Sequence, residues 1–127
     1  MNHYVFPLLE KQKQNMVNEV LEKGIPNLVK SAIHKVLKIS PQELSSPTRT
    51  RQLCDARCMY WVMLRSSTKL SLAEIGRSVR RHHSTVINGL NSHKTNIEYD
   101  EAYQDAWYEL CSEINHIIKY KHVKEEA

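Results

Sequence analysis

One short stretch near the middle of the chain carries five consecutive side chains that can hydrogen-bond: Arg81, His82, His83, Ser84 and Thr85. At the start of a helix, such side chains and the free backbone N–H groups beside them can contact phosphates and base edges. A polar run at a helix start is also common as plain capping. Taken alone, these five residues are therefore a weak indication of nucleic-acid contact.

Positive charge is concentrated in the same part of the chain. The net charge of the protein is +4, but residues 49–83 carry +6 and residues 84–127 carry −4. The guanidinium group is a planar fork that matches phosphate and guanine edges. A basic stretch beside an acidic one is typical of a nucleic-acid-binding face with a solvated back, and a solvated basic surface without a partner is equally consistent with charge alone. The basic stretch contains all seven arginines: Arg49, Arg51, Arg57, Arg65, Arg77, Arg80 and Arg81.

The three cysteines raise the alternative of a metal site. Cys54 and Cys58 lie four residues apart, and together with His82 and His83 they could supply four ligands. Zinc sites mostly use tighter CxxC spacing, however, and free cysteines are usually buried in helix packing. We therefore expect reduced, buried thiols at Cys54, Cys58 and Cys111, with no metal and no other cofactor.

Several classes of protein are excluded by composition. The only glycines, Gly24, Gly76 and Gly89, are too far apart for a P-loop or a GxGxxG motif, so no nucleotide is expected to bind. No apolar run approaches the ~18 residues that cross a bilayer. The first residues lack the layout of a secretion signal, which predicts a cytoplasmic protein. No spacing supports a catalytic pair of side chains, so the protein is not expected to be an enzyme.

The elements that must position these residues are predicted to be helices. Apolar residues spaced three and four apart predict a helix over residues 9–21 that Gly24 ends, and a second helix that begins at Pro26. The same spacing predicts a helix from Leu53 to Leu64 and a long last helix that Asp100 and Glu101 begin. A capping box at Ser40 predicts a short helix, and SSPTRTR over residues 45–51 reads as a loop. The last helix carries one apolar face: Tyr103, Trp107, Leu110, Ile114 and Ile117. Its aromatic residues, together with Trp61 and Tyr108, are predicted to be core or partly buried.

Two short helices around Arg80 and Arg81 are predicted to form a helix-turn-helix. A second capping box, at Ser71 and Glu74, begins the first helix, with Ile75 and Val79 pointing inward. The next helix begins at His82 or His83 and is anchored to the core by Val86 and Leu90. In such a motif the second helix enters the major groove, and its first residues reach base edges.

The segments SLAEIGRSVRRHHSTVINGL and RTRQLCDARCMYW resemble the carboxy-terminal DNA-binding domain of the bacterial replication initiator DnaA. The resemblance spans roughly residues 28–118. It implies an all-α fold, a compact helical bundle with a helix-turn-helix, similar to the Trp repressor. It also divides the chain into an amino-terminal helical extension (1–27), the DNA-binding domain (28–120) and a charged tail (121–127). The ATPase module of the family has no counterpart here, in agreement with the missing P-loop, so the domain is expected to stand alone.

The resemblance also implies roles for individual residues. Arg49, with Arg51 close by, corresponds to a loop arginine that enters the minor groove. Phosphate contacts are implied for Arg57, Arg65 and Thr68, and the helix start near Leu72 is expected to approach the DNA backbone. The residues implied to face the major groove are His82, His83, Ser84 and Thr85. In the turn, Arg80 and Arg81 fill positions where the family usually has glycines, and are expected to add affinity for phosphate.

Two departures from the family pattern have consequences. His82 replaces an aspartate, so an acceptor becomes a possible donor, and one altered base contact can shift discrimination by ~1–3 kcal/mol. Asn88 and Gly89 replace a His-Ala pair. Gly89 indicates either close helix packing or a shorter recognition helix, because glycine inside a helix costs roughly 1 kcal/mol relative to alanine.

The leading hypothesis is a sequence-specific duplex-DNA-binding protein that regulates transcription or binds a replication origin, and such a protein is expected to be associated with the nucleoid. The alternative is an interaction module that binds a replication or transcription protein through its amino-terminal helix and aromatic carboxy-terminal helix. A homodimer formed through either helix would favour paired half-sites on DNA.

Overall fold

The computed structural model describes residues 24–126, with side chains described as far as Lys119. Six helices follow one another in this part of the chain, which contains no strand, so the predicted all-α class is confirmed. The helices are α1 (Gly24–Leu37), α2 (Pro41–Ser45), α3 (Arg51–Ser67), α4 (Leu72–Arg77), α5 (His83–Tyr99) and α6 (Glu101–Glu126).

Short polar side chains fix where most of these helices begin. Ser40 and Ser71 each accept a hydrogen bond from the backbone N–H of a glutamate three residues later, and that glutamate accepts one in return, so both predicted capping boxes are confirmed. Thr50 caps α3 through Leu53 N–H. Because Thr50 is the cap, α3 begins at Arg51, and the loop shrinks from the predicted residues 45–51 to residues 46–50.

The ends of the domain differ from the prediction. Gly24 is the first residue of α1, in which Ile25 is buried and Pro26 has a φ angle that suits the first turn of a helix. Residues 24–27 therefore belong to the bundle. Helix α6 continues through residues 121–126, which were predicted to form a tail. The helix predicted over residues 9–21 lies outside the described residues.

Helix α3 lies at the centre of the bundle. Every residue from Ala56 to Leu64 is buried, as expected for a helix that is surrounded on all sides. It packs against α1, α2, α4 and α5, and α6 closes the bundle against α1 and α5. The predicted apolar face of α6 is confirmed, with Ile117 half-buried, and Ile118 is buried beside it. Tyr108, which was predicted to be core or partly buried, is 52% exposed, because it lies five residues after Tyr103 on the other side of the helix.

The cysteines occupy two different environments. Cys58 and Cys111 are buried as predicted, whereas Cys54, in the first turn of α3, is exposed. Burial raises the pKa of the Cys58 thiol to about 12. The described residues contain no group of three or more His, Cys, Asp or Glu side chains that could hold a metal ion. Within the same residues, no helix is long and apolar enough to span a membrane.

Candidate nucleic-acid interface

The turn between α4 and α5 is built by backbone hydrogen bonds. Arg81 N–H donates to Gly76 O at 2.8 Å and Arg80 N–H donates to Arg77 O at 3.1 Å, which is the pattern of a Schellman motif. Such a motif needs one residue in the left-handed region, and Arg80 takes that position with a φ of 57°. Arginine thus occupies a backbone conformation that glycine adopts without strain.

Two neighbouring features keep this turn tight. Any side chain at Gly76 would collide with the Arg81 carbonyl oxygen, so the returning chain can approach α4 only because residue 76 is glycine. Lys30 donates to Ser78 O at 2.9 Å, and the hydroxyl groups of Tyr60 and Ser78 lie 2.7 Å apart. Burial lowers the pKa of the Lys30 ammonium group. The turn is therefore fixed to both α1 and α3.

His82 is the amino-terminal cap of α5. Its Nδ1 atom accepts a hydrogen bond from the backbone N–H of Ser84 at 3.2 Å and lies 2.9 Å from the Ser84 hydroxyl. The imidazole rings of His82 and His83 lie against each other, with centroids 4.1 Å apart. The sequence left the helix start open between these two histidines, and the structure makes His82 the cap and His83 the first helical residue.

Helix α5 presents one continuous exposed face. Its buried residues recur every three or four positions, at Val86, Gly89, His93 and Ile97. The opposite face includes Ser84, Ile87, Asn88, Asn91 and Thr95, and the exposed Lys94 lies beside Ile87 on it. No acidic residue occurs between positions 83 and 97. Ile87, which is 41% exposed, and the two asparagines were not predicted as contact residues, although their spacing of three, four and seven residues from Ser84 could have indicated them.

The core holds α5 from behind. A Cβ atom at Gly89 would overlap the ring of Trp61 on α3, so the two helices approach closely at this point. Near the other end of α5, the buried Nδ1 atom of His93 lies 2.5 Å from the Tyr103 hydroxyl. Helix α5 is 17 residues long and approaches Trp61 closely at Gly89. Of the two explanations offered for Gly89, the structure therefore supports close helix packing and not a shortened recognition helix.

Two arginines hold the loop of residues 46–50 against the turn. Arg57 donates to the carbonyl oxygens of Leu44 (2.8 Å), Glu43 (3.2 Å) and Ser46 (2.9 Å). Arg81 donates to the same Ser46 carbonyl at 2.6 Å. These contacts, which we call the Ser46 clamp, connect α3, the loop and the turn before α5. They fix the position of the loop that carries the exposed Arg49.

The structure places Arg57, for which a phosphate contact was predicted, inside the protein. The residue is only 2% exposed, and three carbonyl groups accept hydrogen bonds from its guanidinium. Burial, followed by the neighbouring charge of Arg81, lowers its pKa. Arg57 therefore supports the loop from inside the protein and cannot reach a phosphate without breaking those bonds.

Arg51 lies apart from the other candidate residues. Its guanidinium pairs with Asp100 at 2.6 Å and with Asp55 at 3.7 Å. Asp100 follows the last residue of α5, and a 17-residue helix is about 25 Å long, so this ion pair lies far from His82. The structure thus leaves Arg49 exposed in the loop and directs Arg51 towards the end of α5 opposite His82.

The other predicted residues lie around the helix-turn-helix. Arg65 is exposed in the last turn of α3, and Arg80 is exposed in the turn itself. The Thr68 hydroxyl donates to Leu64 O at 2.7 Å and accepts from Leu70 N–H at 3.2 Å, so it already serves as a helix cap. Leu72 is half-buried at the start of α4. His82, His83, Ser84 and Thr85 are all exposed at the start of α5.

Helices α4 and α5 and the tight turn between them form a helix-turn-helix. The chain matches the family described as "Bacterial dnaA protein helix-turn-helix" over residues 26–92, a region that contains most of α1, all of α2 to α4, most of α5 and every candidate residue. The protein belongs to this family, and the resemblance seen in the sequence is confirmed. No solved structure gives a significant match to the chain.

Curated relatives of the chain are chromosomal replication initiator proteins DnaA. The protein of Lachnoclostridium phytofermentans is 27% identical over 110 residues, which are 85% of this chain and 24% of that relative. The protein of Thermomicrobium roseum is 31% identical over 73% of the chain and 20% of its own length. A third, from Oleidesulfovibrio alaskensis, is 46% identical over 41% of the chain and 11% of its length. The chain thus spans a quarter or less of each of these relatives.

Proposed function

We propose that this protein binds double-stranded DNA in a sequence-specific manner, as a transcriptional regulator or a replication-origin-binding factor. The observation that carries the proposal is the exposed face of α5, which is free of acidic residues from position 83 to position 97 and begins beside an arginine-rich turn. An α-helix fits the major groove of B-DNA, where each base pair presents a distinct pattern of donors, acceptors and methyl groups.

The side chains on this face suit that pattern. His82, His83, Ser84 and Thr85 offer hydrogen bonds at the end of the helix that would enter the groove first. Asn88 and Asn91 carry amides that can pair with adenine, and Ile87 offers an apolar surface to a thymine methyl group. We include these three residues among the proposed base contacts because they continue the same exposed face.

The loop of residues 46–50 would supply the second contact. Arginine is well suited to the minor groove, whose negative potential attracts it. The Ser46 clamp connects this loop to Arg81, the residue directly before the cap of α5. In this proposal, the clamp sets the distance between Arg49 in the minor groove and α5 in the adjacent major groove.

Phosphate contacts would fix the register of the domain on DNA. We assign them to the exposed Arg65 at the end of α3, to the exposed Arg80 in the turn before α5, and to the start of α4 at Leu72. Arg57 and Arg51 are left out, because one is buried and the other is paired with carboxylates. Arg81 acts mainly through the clamp, and the Thr68 hydroxyl mainly as a cap.

Selection of bound duplexes from a randomised pool, repeated at two salt concentrations, tests the proposal. We expect one enriched motif whose length shows whether one half-site or two are used, because dimeric helix-turn-helix proteins bind half-sites about 10 base pairs apart. Binding without enrichment, combined with a steep loss of affinity in salt, would mean phosphate contact alone. The absence of binding at low salt would contradict DNA binding and favour a protein partner.

A further inference from the structure

The hydrogen bond that caps α5 fixes which nitrogen of His82 carries the proton. A backbone N–H can only donate, so the Nδ1 atom that receives the Ser84 N–H must present its lone pair. The neutral imidazole ring then has its hydrogen on Nε2. Within the described part of the chain, no hydrogen bond involves Nε2, and the side chain is exposed.

The orientation of this ring is also restrained. The Ser84 N–H and hydroxyl hold one edge of the imidazole against the helix, and the His83 ring lies against its face at 4.1 Å. Nδ1 and Nε2 lie on different edges of the ring, so the capping contact directs the Nε2–H group away from the helix start. A single donor is thus presented at the end of α5 that faces DNA in the proposed function.

We infer that His82 determines specificity by donating from Nε2 to a guanine and by rejecting cytosine at the same position. This inference rests on the proposed function and deepens it. Guanine presents two acceptors, N7 and O6, on its major-groove edge, whereas cytosine presents only the N4 donor there. A donor facing cytosine would leave both groups without partners in a desolvated interface, and such unpaired groups weaken binding.

Substitutions that preserve the cap can separate base reading from capping. Aspartate and serine are both strong amino-terminal caps, so neither His82→Asp nor His82→Ser should weaken the start of α5. Aspartate only accepts hydrogen bonds, which suits the amino group of cytosine. Serine keeps the cap but lacks the imidazole ring and its Nε2–H donor. Equal thermal unfolding midpoints for the three proteins would show that the helix start is intact.

The experiment is selection from one randomised duplex pool with the wild type, His82→Asp and His82→Ser in parallel. For the wild type we expect one motif position to favour guanine over cytosine by about five- to 150-fold. His82→Asp should favour cytosine at that position, and His82→Ser should show little preference there. The other motif positions should remain unchanged in both variants.

The possible failures are distinguishable. A wild-type motif that stays the same in both variants would overturn the role of His82 and leave sequence-specific binding intact. A uniform loss of enrichment at all positions in His82→Ser would show that His82 positions the helix and reads no base, which also overturns the inference. A wild-type pool without any enriched motif would overturn the proposed function and, with it, this inference.

Discussion

At the scale of single residues, the geometry of the helix-turn-helix depends on backbone positions that tolerate little change. Arg80 is held in the left-handed region at a φ of 57° by the Schellman hydrogen bonds. This conformation costs a residue with a Cβ roughly 1–2 kcal/mol. Arg80 therefore adds a positive charge beside the proposed DNA-binding helix, but its backbone is strained.

We predict that replacements of Arg80 separate strain from charge. Arg80→Gly relieves the strain at some cost in chain entropy, whereas Arg80→Ala keeps the strain. The glycine variant should therefore be more stable than the alanine variant by about 1 kcal/mol in urea unfolding. Both variants lose the same charge and should lose the same affinity for random duplex DNA. Equal stability of the two variants would contradict the proposed strain.

Gly89 gives a second prediction at this scale. Alanine is the better helix former, yet its Cβ would overlap the Trp61 ring. We predict that Gly89→Ala lowers the free energy of unfolding by about 1–3 kcal/mol, because overpacking outweighs helix propensity. Ser92→Ala, at an exposed position of the same helix, serves as the control and should be neutral or slightly stabilising. A stabilised Gly89→Ala variant would show that α3 and α5 can separate at little cost.

At the scale of elements, the Ser46 clamp couples the loop to the bundle. The Arg57 fork reaches three carbonyl oxygens at once, and a lysine at this position has one ammonium group with which to reach them. We predict that Arg57→Lys lowers the free energy of unfolding by about 1–3 kcal/mol, since buried acceptors lose their partners. Arg65→Lys, which makes the same exchange at an exposed position, should stay within about 0.5 kcal/mol of the wild type.

The same clamp predicts an effect on DNA affinity. If Arg57 acts by holding the loop that carries Arg49, then Arg57→Lys should weaken DNA binding only while Arg49 is present. The double variant Arg49→Ala/Arg57→Lys should bind DNA as weakly as Arg49→Ala alone, measured by fluorescence anisotropy at one salt concentration. Additive losses of binding free energy would contradict this coupling and indicate that the two residues act independently.

Local signals in the sequence predicted the elements well. The boxes at Ser40 and Ser71 are decided by residues three positions apart, and the helix-turn-helix follows from them and from the apolar spacing. The burial of Arg57 could not be predicted in this way, because α3 is surrounded on all sides and its periodicity reveals no exposed face. The positive φ of Arg80 could not be predicted either, because no residue of the turn is a glycine or an asparagine.

The candidate site was predicted less completely than the fold. The residues at the start of α5 are exposed where the sequence placed them, but those further along it, at Ile87, Asn88 and Asn91, were missed. Arg51 resembles Arg49 in sequence, and only the fold brings it to Asp100, 49 residues away. Contacts between residues distant in the chain decide which arginines remain available to DNA, and spacing along the chain does not reveal them.

At the scale of the whole molecule, positive and negative charges are concentrated in different parts of the chain. Arg77 ends α4 and Arg80 and Arg81 lie in the turn before α5, while residues 84–127 carry a net charge of −4 and supply all of α6. Phosphate contacts act on any DNA sequence and depend strongly on salt, whereas base contacts act on one sequence. The central claim, that α5 reads bases while the surrounding arginines contact phosphates, therefore predicts different behaviour for the two kinds of residue.

The most direct test compares Thr85→Ala with Arg65→Ala on the selected duplex and on random duplex DNA. Thr85→Ala should lower affinity for the selected duplex by about 1–3 kcal/mol, leave affinity for random DNA unchanged and keep the salt dependence. Arg65→Ala should lower both affinities equally and reduce the slope of log K against log salt by about 0.9. Equal losses on both duplexes for Thr85→Ala, or no loss on either, would contradict base reading by α5.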